Sequence, residues 1–286
     1  MIITNKFNLP QPFVDMAQSD YEYKDKQYSV TTLLKPIREI MLLRRYHKQA
    51  EQDVSELIWS LFGQAVHKVL EKTNESDNLL KEFKVKTEID GYFISGISDL
   101  IELDTQTVID YKVTSTFKVV KKEFEDYRLQ GLMYAYILKQ MNIVVNNARF
   151  ILVLRDWQKS KAKYDKEYPQ NQVYEVNFKF TDKDFKFIEQ WLKGKIAQIK
   201  TVEDLKDNEL PLCTQEERWN DGDIYAVVKD GSSRATKLFN NYAEAEEFIG
   251  GKGGYSIDTR LGIDRKCEEY CAMAKFCPYI THKLPF

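Results

Sequence analysis

An α/β core followed by a small α+β module is the fold class this sequence predicts, and three observations predict it. Helical apolar spacing alternates with short β-type runs as far as residue 200. One of those runs carries Phe150-Ile151-Leu152-Val153-Leu154, the unbroken apolar segment of a strand buried on both faces. Past Pro211 the composition shifts, and residues 215–262 hold seven of the twelve glycines. With 286 residues and 43% hydrophobic content, the chain is long enough for one large domain and an appendage. The expected division is a core over 1–205 and a module over 206–286.

Thr31 and Thr32 offer N-caps to a helix over Leu33–His47, and a second helix runs from Asp53 to about Lys72 through Val54, Leu57, Ile58, Leu61, Ala65 and Val69. Residues 82–89, 92–103 and 106–114 read as a three-stranded antiparallel meander, turned at Asp90-Gly91 and Asp104-Thr105. A single helix is expected over Lys121–Gln140, then strands Ala148–Trp157 and Val173–Phe180. A helix capped by Thr181 or Asp182 then runs to about Lys200. In the module, a hairpin is expected over Ile224–Lys229 and Ala235–Phe239, with a short helix at Ala243–Ile249.

Net charge is −2, so affinity for a polyanion must come from a local patch. Residues 115–166 supply one, with eleven Lys/Arg against five Asp/Glu and interleaved Phe117, Tyr127, Trp157 and Tyr164. The loop Lys159-Ser160-Lys161-Ala162-Lys163 is the expected mobile contact, and Arg218, Arg234 and Lys237 are further basic candidates. No apolar run approaches the roughly 18 residues of a membrane helix, and the N-terminus lacks a secretory pattern. A cytoplasmic protein with no membrane partner is expected. Of four cysteines, Cys267, Cys271 and Cys277 cluster while Cys213 lies upstream. That pattern suits one metal or iron–sulfur centre better than a secreted disulfide framework.

The chemistry concentrates in the meander. Asp110 and Lys112 sit two apart in an otherwise apolar strand and so point to one side while Tyr111 points away. Hairpin pairing brings Asp99 within reach. An Asp-x-Lys triplet alone is common and usually solvated, but charges in an apolar strand are expensive unless partnered. Asp99 and Asp110 offer oxygen ligands to Mg2+ or Mn2+, and the Tyr111 carbonyl offers another. Lys112 then neutralises charge on a phosphate or orients water. On the second helix, Gly63 and His67 share a face, leaving space beside an imidazole that could ligate metal or touch phosphate. Gln130 and Tyr134 share a face of the later helix and could reach the same phosphate.

The ordered set Gly63-x3-His67, Gly96-x2-Asp99, Val108-Ile109-Asp110-Tyr111-Lys112 and Gln130-x3-Tyr134 resembles the motifs of RecB-type nucleases within the PD-(D/E)XK superfamily, over about residues 30–200. The resemblance implies a mixed central sheet flanked by helices, a restriction-endonuclease-like core, and hydrolysis of DNA phosphodiesters with Mg2+ or Mn2+. It makes His67, Asp99 and Asp110 metal ligands, Lys112 the catalytic lysine, and Gln130 and Tyr134 the groups completing the site. Ser98 stands where the superfamily name has Pro, and Asp110 fills a slot often held by Glu.

The cysteines resemble those with which AddB-type and CRISPR-adaptation nucleases tie a 4Fe-4S cluster to the core. Cys213 following the core is more similar to phage-type relatives, and Zn2+ is the alternative occupant. DNA is the expected substrate, attacked from ends or as single strands, in recombination, repair or replication. A helicase or recombination protein is a candidate partner. The competing expectation is a catalytically inert subunit that binds DNA ends or single strands.

Overall fold

The computed structural model describes residues 1–18, 22–70, 72 and 76–283. In chain order its elements are β1 (Ile2–Thr4), α1 (Gln11–Ala17), β2 (Gln27–Ser29), α2 (Val30–Leu33), α3 (Ile37–Tyr46), β3 (Glu51–Asp53), α4 (Ile58–Leu70), β4 (Leu79–Ile89), β5 (Tyr92–Glu102), β6 (Thr107–Thr114), α5 (Thr116–Lys121), α6 (Glu125–Gln140), β7 (Asn147–Leu154), α7 (Lys159–Tyr164), β8 (Val173–Lys179), α8 (Asp182–Val202), β9 (Ile224–Lys229), β10 (Ala235–Phe239), α9 (Tyr242–Ile249), β11 (Tyr255–Arg260) and α10 (Pro278–Lys283). They form two compact units, Met1–Leu205 and Lys206–Phe286. No helix among the described residues is long and apolar enough to cross a membrane.

The first unit is built on a mixed sheet in the order β2-β5-β6-β7-β8, with β4 also paired to β5. Asp90 and Gly91 both take positive φ, 51° and 81°, the conformation of a two-residue hairpin turn, and they set Ile89 opposite Tyr92. β5 and β6 are antiparallel, β6 and β7 parallel, and β7 and β8 antiparallel. The parallel step needs a crossover, which α5 and α6 provide.

Helix α6 packs against β4, β6 and β7 and also touches α8. Its close approach to the sheet depends on Gly131, where a Cβ would stand 2.6 Å from that of Ala148. Helix α8 opens with a capping box in which the Thr181 N–H and hydroxyl both donate to Asp184. It buries Phe185, Ile188, Leu192, Ile196 and Ile199 along one stripe.

Several expectations are corrected. The helix expected over Leu33–His47 starts only at Ile37, after Pro36, as α3, and the turn before it is a separate helix, α2 (Val30–Leu33), capped by Ser29. Proline lacks the N–H that a continuous helix needs and pushes the residue before it out of helical backbone. The helix expected over Lys121–Gln140 is broken at Lys122, whose φ is 55°, and restarts at Glu125. On α4 the apolar stripe ends early, because Ala65 and Val69 are exposed. β7 buries alternate residues rather than both faces. The lysine-rich stretch read as a loop is helix α7, and of the interleaved aromatics only Phe117 and Tyr164 stand exposed, while Tyr127 is buried.

In the second unit β9 is the middle strand of an antiparallel sheet, flanked by β10 and β11. Asn241 caps α9, and Gly250 ends it in left-handed conformation. Arg218 does not face solvent. Its Nε donates to buried Asp264 at 3.0 Å, so it joins a structural network rather than a surface patch.

Candidate active site

The site begins where the sheet splits. β4 pairs with β5 along its whole length. On the other side of β5, β2 covers residues 93–95 and β6 covers 100–102. Among the described residues no strand pairs with 96–99 on that side. β6 leaves β5 beyond Ile109 to follow β7, and the Asp99 side chain bridges the opening, its Oδ2 accepting from the Tyr111 N–H at 2.8 Å. A carboxylate thus replaces the missing ladder bond.

Asp110 lies one residue past the last β5–β6 pair and is buried. Its Oδ1 accepts from Gln130 Nε2 at 2.8 Å. Lys112 Nζ stands 2.7 Å from Oδ2, a close ion pair that partners the second carboxylate oxygen. Burial pushes the Asp110 carboxyl up, to about 6, and the neighbouring Asp99 charge adds to that. The Lys112 ammonium opposes both. A buried carboxylate whose two oxygens are held by Gln130 and Lys112 is a costly arrangement of the kind found at functional sites.

His67 reaches the fork from α4. Its Nε2 lies 2.7 Å from the Tyr111 carbonyl oxygen and its Nδ1 lies 3.3 Å from Asp99 Oδ1. The hydrogen bond to Asp99 raises the imidazole's affinity for its proton against the opposing effect of burial. Both ring nitrogens therefore face groups expected to be metal ligands, and as an imidazolium His67 donates to both. Among the described residues no three His, Cys, Asp or Glu side chains enclose a metal position. Two carboxylates and a peptide oxygen nonetheless fit Mg2+ or Mn2+, hard ions that use one or two carboxylates and keep several waters.

Tyr134 explains a motif. Its hydroxyl donates to the Ile97 carbonyl at 2.9 Å, and its ring lies across the backbone of Gly96, where a Cβ would stand 2.8 Å from Cε1. Gly96 and Tyr134 are thus one contact, which ties α6 to the unpaired stretch of β5. Gln130, one turn earlier, then meets Asp110. The structure brings His67, Asp99, Asp110, Tyr111, Lys112, Gln130 and Tyr134 to one place.

Two neighbours were missed. Glu82 lies opposite Asp99 in the hairpin, between the pairs Lys81↔Leu100 and Phe83↔Ser98, with φ at 46° inside a strand. The register set by Asp90-Gly91 was the signal that could have found it. Trp59 lies off the apolar stripe of α4, which was its own signal. With Gly63, His67, Glu82, Asp99 and Lys112, it lines a cleft of about 760 Å3.

None of the four cysteines is in a disulfide. Burial pushes Cys213 up to about 12, with the charges of Glu217, Cys267 and Cys277 adding to it; burial and the neighbouring Cys271 push Cys267 to about 11. The four are therefore electrostatic neighbours, though not an assembled tetrad. Arg218 holds the two segments that carry them. It donates to the Cys213 carbonyl and to Asp264, whose own carbonyl accepts from the Cys267 N–H.

No curated protein matches the chain. Among solved structures, the protein SSO0001 is similar at 16% identity and a TM-score of 0.48, over 70% of this chain and 87% of its own. An alkaline exonuclease from Laribacter hongkongensis is similar at 12% identity and a TM-score of 0.37, over 63% of this chain and 90% of its own. A phage related exonuclease from Haemophilus somnus 129PT is similar at 13% identity and a TM-score of 0.29, over 66% of this chain and 78% of its own. The family model of the PD-(D/E)XK nuclease superfamily matches residues 65–215, a stretch containing every residue gathered at the fork. With more than half of its length in that match, the chain belongs to the PD-(D/E)XK nuclease superfamily.

Proposed function

We propose that this chain is a RecB-type, Mg2+- or Mn2+-dependent deoxyribonuclease that works in the cytoplasm on DNA ends or single strands, in recombination, repair or replication. The observation that carries the reading is Asp110: a buried carboxylate in an otherwise apolar strand, paired at 2.7 Å with Lys112 and across the fork from Asp99. An inert binding subunit has no use for so costly an arrangement.

Asp99, Asp110 and the Tyr111 carbonyl would hold the cation, which when bound polarises a phosphate and lowers the pKa of a coordinated water. Lys112 neutralises charge developing on the phosphate oxygens. Gln130 fixes the Asp110 rotamer through its hydrogen bond to Oδ1. Tyr134 stays protonated because burial raises its phenol, so it keeps donating to Ile97 and holds the unpaired stretch in place. His67 donates to Asp99 and the Tyr111 carbonyl while protonated, and on losing that proton to solvent it would join them as the nitrogen ligand.

In the second unit, Cys213, Cys267, Cys271 and Cys277 are read as holders of a 4Fe-4S cluster, with Zn2+ as the alternative. A helicase or recombination protein is the corresponding partner. Iron, sulfide and zinc analysis of anaerobically purified protein decides between the two occupants.

The test of the nuclease reading is incubation of linear, circular, single-stranded and duplex DNA with Mg2+, Mn2+ or EDTA. Product is expected only with metal. Asp99→Ala, Asp110→Asn and Lys112→Ala should each lower the rate by about 100-fold or more. DNA binding without any product from the wild-type chain in either metal would overturn the reading.

A further inference from the structure

We propose that Trp59 and Gly63 on α4 form a stacking subsite for an unpaired nucleobase on the strand whose phosphate is cut. The inference rests on the nuclease reading and adds a substrate determinant to it.

Trp59, Gly63 and His67 are spaced four apart and share one face of α4. From Trp59 to His67 the face runs about 12 Å at 1.5 Å per residue, roughly three or four stacked nucleotide steps. Trp59 is 52% exposed, next to exposed Phe62 at a ring separation of 6.3 Å. Large aromatic side chains normally bury their rings in the core or an interface, and here Trp59 stands at the wall of the cleft that holds Asp99 and Lys112.

Gly63 is the second observation. Glycine inside a helix weakens it, so its presence needs a cause. At Gly96 and Gly131 the cause is internal, since a Cβ would lie 2.8 and 2.6 Å from neighbouring atoms. At Gly63, as at Gly194 on α8, nothing lies within 4 Å of the position a Cβ would take, and of the two only Gly63 lines the cleft. The bare stretch of helix faces the cleft, and a flat group lying against α4 would use that space.

Charge selects the occupant. The Arg155 guanidinium sits 4.9 Å from the Trp59 ring, and Lys112 lines the same cleft. An aromatic floor edged by cations is complementary to a base on a phosphate backbone. In a duplex each base face is covered by its stacked neighbours, so only an unpaired base at a frayed end or in a single strand presents a face to the indole.

The test is fluorescence anisotropy of fluorescein-labelled oligo(dT) and of an abasic strand of equal length, measured in EDTA so that neither is cut. Wild type should bind the base-bearing strand more tightly. Trp59→Ala should weaken oligo(dT) binding by roughly 5- to 100-fold and erase the preference over the abasic strand. Trp59→Phe should restore much of both. Phe187→Ala, an exposed aromatic on α8, serves as the control and should leave binding within twofold. Gly63→Ala should raise the melting temperature while weakening oligo(dT) binding.

Equal binding of both strands by wild type, or a Trp59→Ala chain that keeps the preference, overturns the subsite. If that occurs while metal-dependent cleavage persists, the nuclease reading survives alone. If base preference depends on Trp59 but no metal supports cleavage, the subsite survives and the nuclease reading falls.

Discussion

Gly96→Ala tests how the hairpin and α6 are locked together. The added methyl would stand 2.8 Å from Tyr134 Cε1, 3.0 Å from its hydroxyl oxygen and 3.2 Å from Cζ, where carbon atoms in contact prefer about 3.5–4.0 Å. The ring is rigid and buried, and it cannot swing aside without losing the 2.9 Å hydrogen bond to Ile97. Overpacking of this kind costs about 1–3 kcal/mol and the lost hydrogen bond about 1 kcal/mol. Replacing a strand glycine returns about 0.5–1 kcal/mol. The net expectation is a loss of about 1–3 kcal/mol, read as a lower urea midpoint at unchanged slope.

A double-mutant cycle isolates the contact. Tyr134→Ala alone should cost about 3–5 kcal/mol. In that background Gly96→Ala should be neutral or mildly stabilising, because the ring it would strike is gone. A coupling of about 1 kcal/mol or more is expected. Additivity within about 0.5 kcal/mol, or a Gly96→Ala chain as stable as wild type, would refute the account of why the two residues belong to one motif.

Glu82→Gly should stabilise the first unit by about 1 kcal/mol in urea unfolding, since left-handed backbone costs a side-chain-bearing residue that much and glycine little. The same change should weaken Mn2+ binding in a calorimetric titration if the carboxylate serves the site. Divalent-ion affinity should rise with pH across the interval around the usual imidazole value of about 6.5 and above it. The raised His67 pKa keeps an imidazolium on Asp99 and Tyr111 until the proton leaves, so His67→Ala should remove the part of the rise that lies above the Asp110 titration near 6.

Asp264 is opposed by burial, yet hydrogen bonds from Tyr279, Asn220, Lys283 and Arg218 hold its carboxyl well below the usual range. Its folded value lies under its unfolded one, so the stabilisation is full above about pH 4 and fades as pH falls toward the folded value. Hydrogen exchange over residues 206–283 should accelerate in acid. Asp264→Asn should cost about 2–4 kcal/mol at neutral pH and remove most of the acid sensitivity.

The meander, its turns and the seven residues of the site were legible because strand period, turn chemistry and charges in an apolar strand are local signals. The break at Pro36 was equally local, yet the apolar spacing on both sides of it favoured one long helix. β1 and β3 were not legible, since three-residue strands carry no period and pair only with each other. β11 was missed because its burial alternates only weakly, so its sequence lacks the apolar rhythm of a core strand. The fork itself is a matter of which strand β6 prefers. All eight of its residues pair with β7 and only three with β5, a competition that no stretch of sequence displays by itself.

The unpaired run of β5 also bears on solubility. A strand with a vacant side is a template for a foreign strand, and here that side lies in the middle of a sheet, with Ile97 47% exposed upon it. Asp99 guards the gap twice, by occupying the Tyr111 N–H and by placing a negative charge where an intruding backbone would dock. Replacing it with valine would therefore remove a gatekeeper against aggregation as well as a carboxylate.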